Sequence, residues 1–276
     1  MVVVQLDAST SRPADGSQLD EIVVLDDVLS SDECSALLAK ADRAGFARSE
    51  HKGKADSEFR RSGRALLSDI ELARDIFGRI RHALPPAVRP ESMALSKLSA
   101  AFLRIEPAWG PAAGLWEELR VLQYQDESEH FKPHRDNRAT VGQSTEFPDA
   151  SSFYSLLLYL CDVPGTEDHP AEQHRGGGSA PGVTRFYCQP PGSDPFDEGH
   201  VSSCVVAEVV PRRGRAVLFP HRILHEGAAV GSGQTKLVMR GDVLFEPPPA
   251  GGAAADRDAD SEDEEADECG RRRRKW

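Results

Sequence analysis

The sequence has no run approaching the ~18 consecutive apolar residues of a membrane span, no cysteine pair spaced C-x-x-C, and no excess of positive charge. Each absence removes a class. Without the apolar run, no membrane partner is expected. The five cysteines, Cys34, Cys161, Cys188, Cys204 and Cys269, are odd in number and scattered. That is neither a zinc framework nor the disulfide lattice of a small secreted protein. With 33 Lys and Arg against 45 Asp and Glu, the net charge is −12. Phosphate neutralisation needs Lys and Arg, so nucleic acid is not an expected partner. Residues 1–7 carry a short apolar run with no basic lead-in, unlike a secretory signal. The expected location is therefore intracellular and cytoplasmic, with reduced thiols. What is present, 276 residues of which 39% are hydrophobic, suffices for one large domain or two small ones without disulfide staples.

Composition divides the chain into four regions. Residues 1–20 are polar and expected to be flexible. Residues 21–116 read as a support region. Within it, residues 22–25 form a short strand, and Ser30 or Ser31 caps a helix whose Cys34, Leu37, Leu38 and Ala41 share one face, with a stop at Gly45. A second helix is expected over residues 69–83, with Ile70, Ala73, Ile76, Phe77 and Ile80 on one face, and a polar loop over residues 49–63. Residues 117–246 are a run of β-rich segments: 119–124, 155–160, 184–188, 201–210, 216–219 and 236–245. A Gly-rich insertion at 169–182 reads as a mobile loop between strands. Helices first and strands after indicate an α+β fold, with helices packed on a β-sandwich or barrel. Residues 247–276 are a disordered tail, acidic over 256–268 and then basic. Taking its nine acidic and six basic side chains from the totals of 45 and 33 leaves 36 and 27, so the body is itself acidic. The cluster Arg271, Arg272, Arg273, Arg274 and Lys275 has the composition of a nuclear-import signal. It equally has that of a solvated tail pairing with its own acidic run.

Two histidine segments carry candidate chemistry. His134 and Asp136 are two residues apart, and on an extended chain such positions point the same way. The second segment, residues 218–227, contains His221, His225 and Glu226. Two histidines and a carboxylate on one face of an octahedral metal are the ligand set of non-haem Fe(II) oxygenases. By itself a histidine near a carboxylate is more often a surface ion pair. Downstream, Lys236, Val238 and Arg240 share one strand face. Arg240 is suited to clamp a carboxylate through two parallel N–H···O bonds. The plainer alternative is an edge strand with charges facing water. Pro133 argues against a straight strand through His130 and His134. His130 and His221 therefore read as supporting or surface residues, and Cys161 and Cys188 as small packing residues beside strands.

Taken in order, the blocks at Tyr124, residues 131–136, 157–160, 182–186, 211–219, 225–227 and 236–243 resemble the prolyl 4-hydroxylase-type branch of the Fe(II)/2-oxoglutarate dioxygenases. The resemblance implies a double-stranded β-helix (jelly-roll) over residues 117–246, buttressed by the N-terminal helices. It implies His134, Asp136 and His225 as iron ligands and no catalytic side chain beyond the metal centre. Arg240 would bind the distal carboxylate of 2-oxoglutarate, with Lys236 as its competitor, Tyr124 as a support and Thr184 lining the pocket. The implied cofactors are Fe(II), 2-oxoglutarate as co-substrate, and ascorbate. The implied reaction consumes O2, hydroxylates a peptidyl proline in a protein or peptide partner, and releases succinate and CO2. A non-prolyl substrate (another side chain, a small molecule or a nucleobase) and a catalytically silent binding module are the alternatives. Because the tail cannot bury a core, truncation before Ala250 is expected to leave turnover near that of the full chain in a succinate-release assay.

Overall fold

The computed structural model describes residues 21–48, 60–88, 108–164, 181–187 and 205–249. Strand β1 (Val23–Leu25) leads into α1 (Ser31–Ala44) and the short β2 (Ala47–Arg48). Helix α1 starts as a capping box. Glu33 N donates to Ser30 Oγ (3.2 Å), and Ser30 N donates back to the Glu33 carboxylate (2.8 Å). Its buried residues are Cys34, Leu37 and Ala41, and Gly45, at φ 83°, ends it. β3 (Gly63–Ser68) precedes α2 (Ile70–Ile80), whose Asp69 side chain accepts from Leu72 N (3.0 Å). The α-helix ends at Ile80, and Arg81–Ala83 tighten into a 3-10 turn, so the helix is shorter than expected. Ile70 lies off the strip of Ala73, Ile76 and Ile80 and is 37% exposed.

The remaining strands are β4 (Ala112–Leu115), β5 (Glu118–Tyr124), β6 (Phe131–His134), β7 (Ser151–Tyr159), β8 (Thr184–Tyr187), β9 (Val205–Val209), β10 (Ala216–Pro220), β11 (His225–Gly227) and β12 (Lys236–Phe245). Among the described residues they form two antiparallel sheets. The larger runs β1-β10-β7-β12-β5-β3-β2, with β4 also on β12, and the smaller runs β6-β11-β8-β9. From β5 onward the chain passes between the sheets, so that β5, β7, β10 and β12 lie in one and β6, β8, β9 and β11 in the other. This is the jelly-roll winding, and the fold is α+β with the N-terminal helices outside the large sheet. No helix among the described residues is long and apolar enough to cross a membrane.

Two apolar layers follow from strand alternation. Leu156, Leu158, Met239 and Val243 point to the helix side and join Leu37, Ala41, Ile76 and Ile80. Leu122, Leu157, Tyr159 and Val238 point the other way and meet Phe186, Phe219 and Val209 between the sheets. Strand β7, covered on both faces, is buried along its whole length. Lys236 and Arg240 thus lie on a central strand rather than a water-facing edge. Residues 169–180 of the glycine-rich insertion, Cys188, most of the loop at 49–63 and the tail from residue 250 lie outside the described residues.

Gly214 shows how tightly the first strand region is docked. It sits at φ 81°, and a Cβ there would fall on the backbone oxygen of Leu29. Its own carbonyl accepts from Val28 N at 2.8 Å. A side chain therefore meets both left-handed strain and an immovable backbone atom. Gly214→Ala should destabilise the fold by about 2–4 kcal/mol, read as a lower denaturant midpoint at unchanged slope.

Candidate metal centre

The last residue of β6, His134, and the first of β11, His225, are cross-strand partners and so share a face. Their ring centroids are 4.3 Å apart. β6 begins at Phe131, and its pairing with β11 is irregular between His134 and Phe131, so no straight strand runs through His130 and His134, as Pro133 leads one to expect. β6 is an edge of the small sheet, where a missing N–H leaves no ladder bond unmade. Two residues on, Asp136 N donates to His221 O (3.1 Å), which turns its carboxylate back to the two rings. His134, Asp136 and His225 are all buried, and their ligand atoms lie within 4.8 Å of one another.

The hydrogen bonds of the rings fix what they present. His134 Nδ1 is 2.7 Å from Lys132 O, and His225 Nδ1 is 3.0 Å from Ile223 O. A carbonyl only accepts, so each Nδ1 carries a proton and each Nε2 is left to face the shared site. Both Nε2 atoms stand 3.7 Å from an Asp136 carboxylate oxygen. Burial, reinforced by His134, pushes the His225 pKa down to about 3, so the ring is neutral. Burial by itself would raise Asp136, but Arg240 beside it, with His225 and His134, holds the carboxyl well below the usual carboxylate range. Two imidazole Nε2 atoms and one carboxylate thus converge on one point. That donor set fits a divalent cation with neutral imidazole and carboxylate ligands. Phe131 stacks on His134 (3.4 Å between centroids), and Phe219 meets His225 edge-on (4.6 Å), fixing both rings.

The predicted co-substrate residues separate into two groups. Arg240 sits beside the metal ligands, with Nε 3.3 Å from Asp136 Oδ2 and a terminal nitrogen donating to Asp242 (2.9 Å). Asp242 also accepts from Arg120 (2.6 Å). Lys236 lies four residues away along β12, 2% exposed, opposite Tyr124. Its ammonium lies 5.4 Å from the Tyr124 ring centroid and 5.7 Å from that of Tyr159. Among the described residues it has no carboxylate within ion-pair distance. Burial accordingly pushes its pKa down to about 7. Thr184 is 2% exposed and its hydroxyl accepts from Tyr159 OH (2.7 Å). Tyr124, Tyr159, Thr184 and Lys236 therefore form one buried polar cluster, apart from Arg240.

The remaining candidates fall elsewhere. His221 is not at the surface. It is 3% exposed and bonded between Ser152 and Ser155, and burial lowers its pKa to about 4. His130 is half-buried, with Nδ1 against Ser128 O (2.9 Å). Cys161 accepts from Leu237 N (3.2 Å) and packs beside β12. Tyr159, Ser155, Asp242 and Arg120 were not singled out from sequence. Alternation along β7, β12 and β5 puts them on the inner face, but their contacts depend on strand register. Beside β6 and β11 opens a cavity of about 430 Å³, bordered by Phe131, Lys132, Arg185, Glu226 and Gly227.

Residues 119–241 match the 2OG-Fe(II) oxygenase superfamily. Among solved structures, the chain is similar to a Pseudomonas putida prolyl-4-hydroxylase (15% identity, 81% of this chain and 92% of that one, TM-score 0.46). It is similar to a Trichoplax adhaerens prolyl hydroxylase in complex with a hypoxia inducible factor peptide fragment (13%, 82% and 84%, 0.46). It is also similar to the α-ketoglutarate-dependent epimerase SnoN from nogalamycin biosynthesis (18%, 91% and 91%, 0.43). No curated protein matches the sequence.

Proposed function

We propose that this chain, whose residues 119–241 match the 2OG-Fe(II) oxygenase superfamily, belongs to that superfamily and hydroxylates a peptidyl proline with Fe(II) held by His134, Asp136 and His225. The observation that carries the reading is the convergence of two imidazole Nε2 atoms and one carboxylate in a buried site whose rings are already oriented by their Nδ1 bonds. Bound there with 2-oxoglutarate, the iron would supply O2 activation coupled to decarboxylation of the co-substrate. The protein's share is to orient ligands, exclude water and hold the co-substrate.

We assign the distal carboxylate of 2-oxoglutarate to Lys236 rather than to Arg240. A diacid whose keto-acid end lies on the metal carries its other carboxylate several bonds away. Arg240 touches a metal ligand and is already paired with two carboxylates. Lys236 is a buried cation awaiting an anion, which removal from water makes costly until one arrives. Tyr124 belongs to the same cluster, as does the Thr184 hydroxyl, which faces Tyr159.

The proline substrate rests on the block order from Tyr124 to Val243 and on the cavity beside β6 and β11, whose apolar and charged border suits a peptide segment. Ascorbate as a reductant rests on the same resemblance. The test is a succinate-release assay with Fe(II), 2-oxoglutarate and a peptide panel that includes proline-rich sequences, with product mass read for each peptide. A gain of one oxygen on proline is expected. Succinate release coupled to oxidation of a different residue, or only of a small molecule, would remove proline as the substrate while leaving the reaction class in place.

A further inference from the structure

Asp136 stands at the end of a buried hydrogen-bond chain that the ligand set does not explain. Its Oδ2 is 2.5 Å from Ser155 Oγ. Ser155 Oγ is 2.8 Å from His221 Nδ1, and His221 Nε2 is 2.9 Å from Ser152 Oγ. Ala139 N donates to Ser152 Oγ at 2.7 Å. Ser152 and Ser155 are fully buried and His221 nearly so. The backbone holds the same parts in place, with Asp136 N on His221 O (3.1 Å) and His221 N on Phe153 O (2.9 Å).

With the Asp136 carboxylate ionised and the His221 ring neutral, one proton order satisfies this chain. An ionised carboxylate only accepts, so Ser155 gives its one proton to Asp136. Ser155 Oγ then offers His221 only a lone pair, so His221 Nδ1 must carry hydrogen. The neutral ring leaves Nε2 as an acceptor, and Ser152 donates to it. Ser152 Oγ in turn receives the Ala139 N–H. Every donor meets one acceptor. With the ring neutral, reversing any one link places two lone pairs or two protons together at a buried site.

We propose that Ser155 and His221 are positioning residues that fix the Asp136 carboxylate for the metal, the Ala139-Ser152-His221-Ser155 relay engaging Oδ2 from behind so that the remaining lone pairs face His134 and His225. The inference rests on the reading of those three residues as metal ligands. Arg240 supplies charge on the same oxygen, whereas the relay supplies direction. Outer-shell partners of this kind typically change metal affinity about 10–100-fold when removed.

The experiment titrates the full-length metal-free protein with Co(II) alone and reads both affinity and the visible ligand-field bands, with thermal unfolding of each metal-free variant alongside. Ser155→Ala should bind Co(II) about 10–100-fold more weakly with shifted bands, and Ser155→Thr, which keeps the hydroxyl, should stay near wild type. His221→Asn, which keeps an N–H close to the Nδ1 position, should outperform His221→Leu. The His221 pair decides the matter if Ser155→Ala does not fold. Wild-type affinity and bands in Ser155→Ala, or equal weakening in His221→Asn and His221→Leu, would overturn the positioning role. A wild-type protein that binds no Co(II) would overturn the metal reading itself, and the positioning role with it.

Discussion

Replacing His225 by Ala, or His134 by Ala, should leave a folded protein that retains no stoichiometric Fe(II) and releases no succinate from 2-oxoglutarate. In the metal-free protein each histidine Nε2 stands 3.7 Å from an Asp136 carboxylate oxygen. That is longer than an ordinary hydrogen bond, so the fold draws little from either pair. The loss on truncation is therefore packing against Phe131, Phe186 and Phe219, about 1–3 kcal/mol of stability. Metal binding loses one of three ligands, and among the described residues no other histidine is placed to replace it. His221 is tied to Ser152 and Ser155, and His130 to Ser128. Metal analysis after dialysis, with circular dichroism of the same samples, checks both halves. Normal iron content in both single variants would sink the assignment.

Parts of this architecture were legible because their causes are local. Helix α1 could be read from Ser30, Glu33 and Gly45, since a capping box and a left-handed stop involve neighbours in sequence. His225 was set apart from His221 only by the family resemblance of residues 225–227, but the pairing of His134 with Asp136, two residues apart, was legible from spacing. Strands β6 and β11 were not, being four and three residues long with no room to show a period. Pro133 signalled the irregularity of β6 but not its partner. β3 was hidden because its exposed Leu66 spoils the alternation of Ala65 and Leu67. The relay behind Asp136 joins residues up to 69 apart through register between β7 and the segment after β10. No short-range signal carries that. The choice between Lys236 and Arg240 was likewise out of reach, because alternation puts both on one face. Only the position of Asp136 and Asp242 tells which cation is already paired.

That pairing reverses the mutational order that strand position and side-chain chemistry suggested. Lys236→Ala should raise the 2-oxoglutarate concentration required for turnover by more than a hundredfold, while leaving Co(II) or Fe(II) binding near wild type. The co-substrate's far carboxylate would otherwise enter a buried cluster of Tyr124, Tyr159 and Thr184 with no cation to meet it. Losing one partner of such a buried pair typically costs about 3–5 kcal/mol, which corresponds to that loss of affinity. Arg240→Ala should act first on metal affinity, because Arg240 faces Asp136. The pH profile separates the two cations further. Burial places the free Lys236 ammonium near a pKa of about 7. Below that pH it is charged and ready for the carboxylate. Above it, binding must first take up a proton, so affinity should fall toward about tenfold per pH unit. The free protein gains stability from the same group in the opposite direction. As pH climbs from about 7 toward the ordinary lysine value, the unfolded chain keeps the proton that the folded chain has released. Lys236→Arg, whose guanidinium stays charged, should flatten the affinity profile on the alkaline side. Calorimetric titration of 2-oxoglutarate into the Co(II)-loaded protein from pH 6 to 9 checks this. A flat wild-type profile, together with a larger affinity loss in Arg240→Ala than in Lys236→Ala, would return the anchor to Arg240.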